Sequence, residues 1–169
     1  MSEKPPKLLI ADFVEPVELG GVIDTHRVEH ITYAPPAQAD SVENAINAIN
    51  AIRSVTSSIR PWEVKTTGFA LFGDNNDVLV STLELHQRHK EVHDAIIEVL
   101  RTLHFLFDDN YTGKNYRPHI SSVDIDPGHI GVSRPGVVLP MTGLSVARKT
   151  NSGSWVVIDK IHFKGDDEQ

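Results

Sequence analysis

Tyr116-Arg117-Pro118-His119-Ile120-Ser121-Ser122-Val123 is the stretch on which the reading of this chain turns. Residues that favour extended backbone hold a histidine and a hydroxyl residue two apart. Side chains two apart on a strand leave the same face, roughly 7 Å from one another along the chain. Far upstream, Val28-Glu29-His30-Ile31-Thr32-Tyr33 repeats the design: His, then Ile, then a hydroxyl, in a strand-like run. With nine histidines in the chain, about one His-x-Ser/Thr triplet arises by chance, so neither copy alone is diagnostic. Two copies on strands can close their imidazoles and hydroxyls on one small anion.

Working outward, Leu8-Leu9-Ile10-Ala11-Asp12-Phe13 reads as a first strand and residues 15–21, with Pro16 and Gly20-Gly21, as a connection. Val22-Ile23 and residues 28–33 resume strand character, and Pro35-Pro36 stops it. Ser41 offers an N-cap and Glu43 suits a first turn. Val42, Ala45, Ile46, Ile49, Ile52, Val55 and Ile59 form a broad apolar stripe at helical spacing, which Pro61 ends. Residues 62–72 and 78–85, separated by Gly73-Asp74-Asn75-Asn76-Asp77, read as a hairpin. Residues 86–107 carry the longest helical pattern, with Val92, Ile96, Val99, Leu103 and Leu106 on one stripe. The second histidine motif follows, then a long loop over residues 124–135, holding Pro127, Gly128, Gly131 and Pro135. Strands over 137–148 and 155–163, joined at Asn151-Ser152-Gly153, and an acidic tail over 165–169 finish the chain. Strands, helix, hairpin, helix, strands is the order of an antiparallel α+β fold, not of alternating βαβ units.

At 169 residues with 40% apolar content, the chain suits a single domain spanning 1–169. A net charge of −7 argues against coating a long nucleic acid, and leaves room for a small anionic substrate at a local basic cluster. With no cysteine, disulfides, thiolate metal sites and cysteine nucleophiles are excluded. The first apolar run is too short to span a membrane and has no signal-peptide cleavage pattern, so the expectation is a cytoplasmic monomer without membrane contact. His86, His89 and His93, at i, i+3 and i+7, are read as a solvated helix face rather than a metal site.

These residues resemble the 2H phosphoesterase superfamily, which includes RNA 2′,3′-cyclic phosphodiesterases and 2′-5′ RNA ligases. The likeness covers His30-Ile31-Thr32, the helix after it and Phe69-Ala70-Leu71-Phe72-Gly73 leading into the hairpin. It continues through the long second helix to Arg117-Pro118-His119-Ile120-Ser121. The resemblance implies a bilobed domain of two antiparallel sheets, with helices on the outside and a central cleft. It also implies His30, Thr32, His119 and Ser121 as the catalytic set, with no metal and no cofactor. Ser122-Val123-Asp124 stands where relatives acting on RNA often carry a basic residue, and Tyr33-Ala34-Pro35-Pro36 replaces an apolar run. The substrate class is therefore open among a 2′,3′-cyclic phosphate RNA end and a small 2′-5′ or 3′-5′ linked or cyclic oligonucleotide.

Opening a phosphodiester near neutral pH needs one proton taken and one given, and two imidazoles can hold one role each. The hydroxyls would donate to non-bridging phosphate oxygens. Arg117 is read as adding positive charge, and Tyr116, Tyr33 and Phe72, with Trp62, as aromatics able to stack a base, although such residues are more often core. The alternatives are a phage-type nuclease that degrades cyclic oligonucleotide signals and a nucleotide-binding protein without turnover.

Overall fold

The computed structural model describes residues 4–25, 28–72, 78–110, 112–121 and 135–165. In chain order the elements are β1 (Lys7–Phe13), β2 (Val22–Ile23), β3 (His30–Gln38), α1 (Val42–Thr56), β4 (Trp62–Phe72), β5 (Val78–Leu83) and α2 (Gln87–Thr102). A 3-10 turn (Gly113–Asn115), β6 (His119–Ser121), β7 (Val138–Met141), β8 (Gly143–Lys149) and β9 (Trp155–His162) complete it. The sheet order is β2-β9-β8-β1-β3-β6-β5-β4-β7, with antiparallel pairing throughout. The α+β class expected from the sequence is present, but the two expected sheets are one nine-stranded ladder. Its seam is the three-residue β6, which pairs with β3 on one edge and β5 on the other. The long loop over 124–134, the hairpin tip over 73–77 and the tail over 166–169 lie outside the described residues.

One strand expected over 137–148 is two. β7 pairs with β4 at the far edge of the order, whereas β8 pairs with β1 and β9. Only Thr142 separates Met141 from Gly143, so the sheet must curl until these distant positions meet. Gly143 permits the corner, because a Cβ there would lie 2.4 Å from the backbone oxygen of Ile161.

β3 runs through Pro35-Pro36 to Gln38 instead of stopping at the prolines. The reason is local. On one edge the register with β1 slips between Leu8 and Ile10, which absorbs the prolines in an irregularity where ladder N–H groups are not required. On the other edge, among the described residues, β3 is paired with β6 at His30 and Ile31, well before the prolines.

Period-2 alternation along β3 sends Ile31 and Tyr33 into the main core. There they pack with Ile120, with Ala45, Ala48 and Ile52 of α1, and with Val92, Ile96 and Leu100 of α2. The opposite face carries a smaller cluster of Leu9, Ala11, Phe13, Ile23, Ala147, Trp155 and Val157. α1 begins where the sequence places it, with Ser41 Oγ accepting from Asn44 N–H at 3.0 Å. Its buried stripe is narrower than expected, being Ala45, Ala48, Ile52 and Thr56, while Val42, Ile46 and Val55 are exposed. The alanines lie on the face of α1 that packs into the core, and the bulkier Val42, Ile46 and Val55 lie off it.

α2 stops at Thr102, short of the expected 107. His104 takes φ 60, and the Phe105 N–H donates to Leu100 O at 2.9 Å, closing the helix end in a left-handed cap. Leu106 is thereby carried off the helical stripe and is 73% exposed.

Candidate active site

The register of β3 with β6 brings the two histidine motifs together across 89 positions of sequence separation (His30 to His119). His30 is paired with Ser121 and Ile31 with Ile120. The same register carried one residue further sets Thr32 against His119. Residues directly opposite in an antiparallel pair lie about 4.5–5.5 Å apart at Cα. The motifs are thus crossed, each histidine standing opposite the hydroxyl position of the other strand. On the far edge of β6, Thr82 is the register partner of His119.

Both imidazoles are held in the same way. His30 Nδ1 lies 2.8 Å from Val28 O and His119 Nδ1 lies 2.8 Å from Arg117 O, each carbonyl two residues back along the chain. A carbonyl only accepts, so each Nδ1 carries the proton, and in the neutral ring the lone pair falls on Nε2. Aromatic rings flank the pair: Phe13 of β1 stands 6.2 Å from His30, and Phe72 of β4 meets His119 edge-on at 4.5 Å between centroids. Burial lowers the pKa of His119 below the usual histidine range, and the nearby charge of His30 pushes the same way, while the bond to Arg117 O opposes both. Thr32 is half-buried, and its hydroxyl makes no hydrogen bond among the described residues.

Of the other predicted site residues, Arg117 is exposed and Phe72 is in contact with His119. Tyr33 is 0% exposed, with its ring 4.9 Å from His89 and 6.3 Å from Phe163, so it is not available to stack a base. Tyr116 lies against α2, its ring stacked on His93 at 3.7 Å and its hydroxyl donating to Thr32 O at 2.8 Å. Trp62 is core, stacked on Phe163. Nothing is described of the Ser121 side chain; its place is given by backbone register alone.

The helix histidines are not a solvated face. His89 and His93 are both 0% exposed. His93 donates from Nδ1 to Tyr33 O at 2.6 Å and accepts at Nε2 from Gly113 N–H at 3.1 Å. His89 is bonded through Nε2 to the Tyr116 hydroxyl at 2.7 Å, and burial, with the charges of His93 and His86, drives its pKa down to about 3. His86 caps α2, accepting at Nδ1 from Arg88 N–H at 3.0 Å. Among the described residues no group of three or more His, Cys, Asp or Glu side chains is arranged to hold a metal. Spacing alone concealed these roles, because a histidine at helical period reads the same whether its face meets water or a sheet.

A cavity of about 290 Å³ lies beneath the end of β1, lined among others by Asp12, Phe13, Ile31, Met141, Ser145 and Lys160. It opens where β1 continues beyond its last register partner on β8, Ser145. Neither motif histidine lines it, although Phe13 also packs on His30. The Asp12 carboxylate makes no hydrogen bond among the described residues. Burial raises its pKa from 3.8 to about 7, against the opposing pull of Lys160. The Lys160 ammonium is itself hydrogen-bonded to Val17 O.

No protein-family model matches the sequence, and no curated protein matches it. Solved structures do. The TT0787 protein of Thermus thermophilus superposes with a TM-score of 0.63 at 15% identity, over 95% of this chain and 100% of that one. E. coli LigT in complex with 3′-AMP gives a TM-score of 0.64 at 11% identity, over 95% and 99%. Kluyveromyces marxianus Usb1 gives 0.53 at 8%, over 92% and 98%. Across nearly its whole length the chain thus shares the α+β fold of these solved structures.

Proposed function

We propose that the chain is a two-histidine phosphodiesterase acting on a 2′,3′-cyclic phosphate RNA end or on a small 2′-5′ linked, 3′-5′ linked or cyclic oligonucleotide. The observation that carries this reading is the crossed register of β3 and β6, which puts His30 and His119 on neighbouring strands with both Nδ1 protons committed to backbone carbonyls. Proton transfer is then confined to the two Nε2 atoms. His119 is the candidate base, since burial and the His30 charge favour its neutral form at pH 7. It takes the proton from the attacking water, or from an adjacent 2′-hydroxyl in an RNA-type linkage, as the oxygen–phosphorus bond forms. His30, as imidazolium, gives its proton to the leaving oxygen as the second bond breaks.

Thr32 supplies a hydroxyl donor for a non-bridging phosphate oxygen, and Ser121 is assigned the matching role from its place in the motif. Exposed Arg117 adds charge at the rim, and Phe72 orients His119 and offers an apolar edge to a base. Tyr33 and Tyr116 leave the substrate-binding set because both are committed to the helix side of β3. The fold neighbours include LigT structures complexed with ATP, 3′-AMP and NADP+, which supports a small nucleotide as the ligand.

The test is a turnover screen of 2′,3′-cyclic nucleotides, 2′-5′ and 3′-5′ dinucleotides and cyclic dinucleotides, read by mass. Hydrolysis of at least one class that disappears in His30→Ala and His119→Ala is expected. Binding without turnover across all classes would turn the reading into one of nucleotide sequestration.

A further inference from the structure

We infer that Tyr116, gripped by His89 of α2, is a positioning residue that sets the geometry between the two histidine motifs. The inference rests on the phosphodiesterase reading for its kinetic consequence, though not for its structural one. The direction of the hydrogen-bond chain is forced. Thr32 O is a carbonyl and can only accept, so the single phenolic proton of Tyr116 goes to it at 2.8 Å. The Tyr116 oxygen must then accept from His89 Nε2–H at 2.7 Å, which requires the Nε2-protonated neutral form of His89. His93 completes the grip, stacking on the Tyr116 ring with an interplanar angle of 10° and bonding the next carbonyl of β3, Tyr33 O.

What makes this more than core packing is where Tyr116 leads. Its side chain holds the backbone of Thr32, in the first motif. Its main chain passes directly to Arg117, whose carbonyl takes the Nδ1 proton of His119 in the second. One short path of fixed bonds therefore connects the strand carrying Thr32 to the ring of His119. Beside it, the described part of the β3–β6 ladder pairs His30 with Ser121 and Ile31 with Ile120, and the tyrosine bridge fixes the approach of the two strands at the Thr32 end. The Tyr116 hydroxyl is occupied by protein groups, so it takes no part in the chemistry itself.

The test compares full-length wild type with Tyr116→Phe, which keeps the ring and its stacking and deletes only the hydroxyl. With whichever dinucleotide or cyclic nucleotide the wild type turns over, kcat is expected to fall roughly ten- to hundredfold with KM within a few-fold, as expected of a small misplacement of reacting groups. The second readout needs no activity. Side-chain ¹⁵N spectra of histidine should show the Nδ1–H signature of His119 weakened or its titration displaced in the variant. His89→Gln, whose amide can donate from the place of Nε2–H, should keep wild-type behaviour, whereas His89→Leu should reproduce Tyr116→Phe. If Tyr116→Phe does not fold, the His89 pair carries the comparison. Wild-type kcat and unchanged His119 resonances in Tyr116→Phe or His89→Leu would overturn the inference. If the wild type turns over nothing in the screen, the phosphodiesterase reading fails, while the histidine spectra still decide the positioning role.

Discussion

Asp12→Asn should stabilise the protein at alkaline pH and leave it unchanged in acid. The carboxyl sits at the wall of the cavity under β1, with no hydrogen-bond donor among the described residues and with the Lys160 ammonium turned to Val17 O. Its pKa of about 7 in the folded chain against 3.8 for the free side chain means that the fold holds a proton the unfolded chain has lost. Between pH 3.8 and 7 the native state therefore binds more protons than the unfolded state, and stability declines as pH rises through that window. Above it the full cost of an ionised, poorly solvated carboxylate is present. A displacement of about three pH units corresponds to roughly 4 kcal/mol at 1.36 kcal/mol per unit, and residual access to water reduces it to about 2–4 kcal/mol. Asparagine is a neutral near-isostere of the protonated acid and removes the linkage. Urea unfolding of both proteins at half-unit steps from pH 4 to 8.5 measures the difference directly, since every other titrating group is common to the pair. The gap should be near zero at pH 4, widen from about pH 5 and level off near pH 8. Parallel curves, or a variant less stable at pH 8, would show that Asp12 is solvated or paired in solution and refute the reasoning.

Further expectations concern the site. His30→Ala and His119→Ala should each lower turnover roughly 100-fold or more with the melting transition retained, and Thr32→Ala should cost less; near wild-type rates in either histidine variant would remove the two-histidine mechanism. The profile of kcat/KM against pH should be bell-shaped and insensitive to EDTA, with an acidic limb below 6.5, because the base must be neutral and burial with the His30 charge holds His119 low. In His30→Ala the His119 titration, followed by NMR, should move up; no movement would mean that the two rings are not electrostatically coupled. Binding of a dinucleotide should give a shallow plot of log affinity against log salt, with a slope of magnitude about 1–2, because a chain of net charge −7 offers no extended basic track. A 20-mer bound more tightly per end, with a slope of several units, would point to a long-RNA ligand.

Much of this was legible in local sequence. The two His-Ile-hydroxyl triplets, the strands that carry them, the hairpin and the capped first helix follow from period and from turn and cap chemistry, which depend on residues within a few positions of each other. What needed the fold is everything set by distant neighbours. Pro35-Pro36 looks like a strand end until β1 supplies an irregularity that absorbs it, and residues 137–148 look like one strand until β4 and β1 claim different halves. His89 and His93 look solvated until β3 covers them, and Tyr33 and Tyr116 look like base platforms until α2 takes both. Alternation and spacing are properties of one segment and can be read from it. Register, burial and hydrogen-bond partnership belong to pairs of segments dozens of residues apart, and only the folded chain decides which pairs meet.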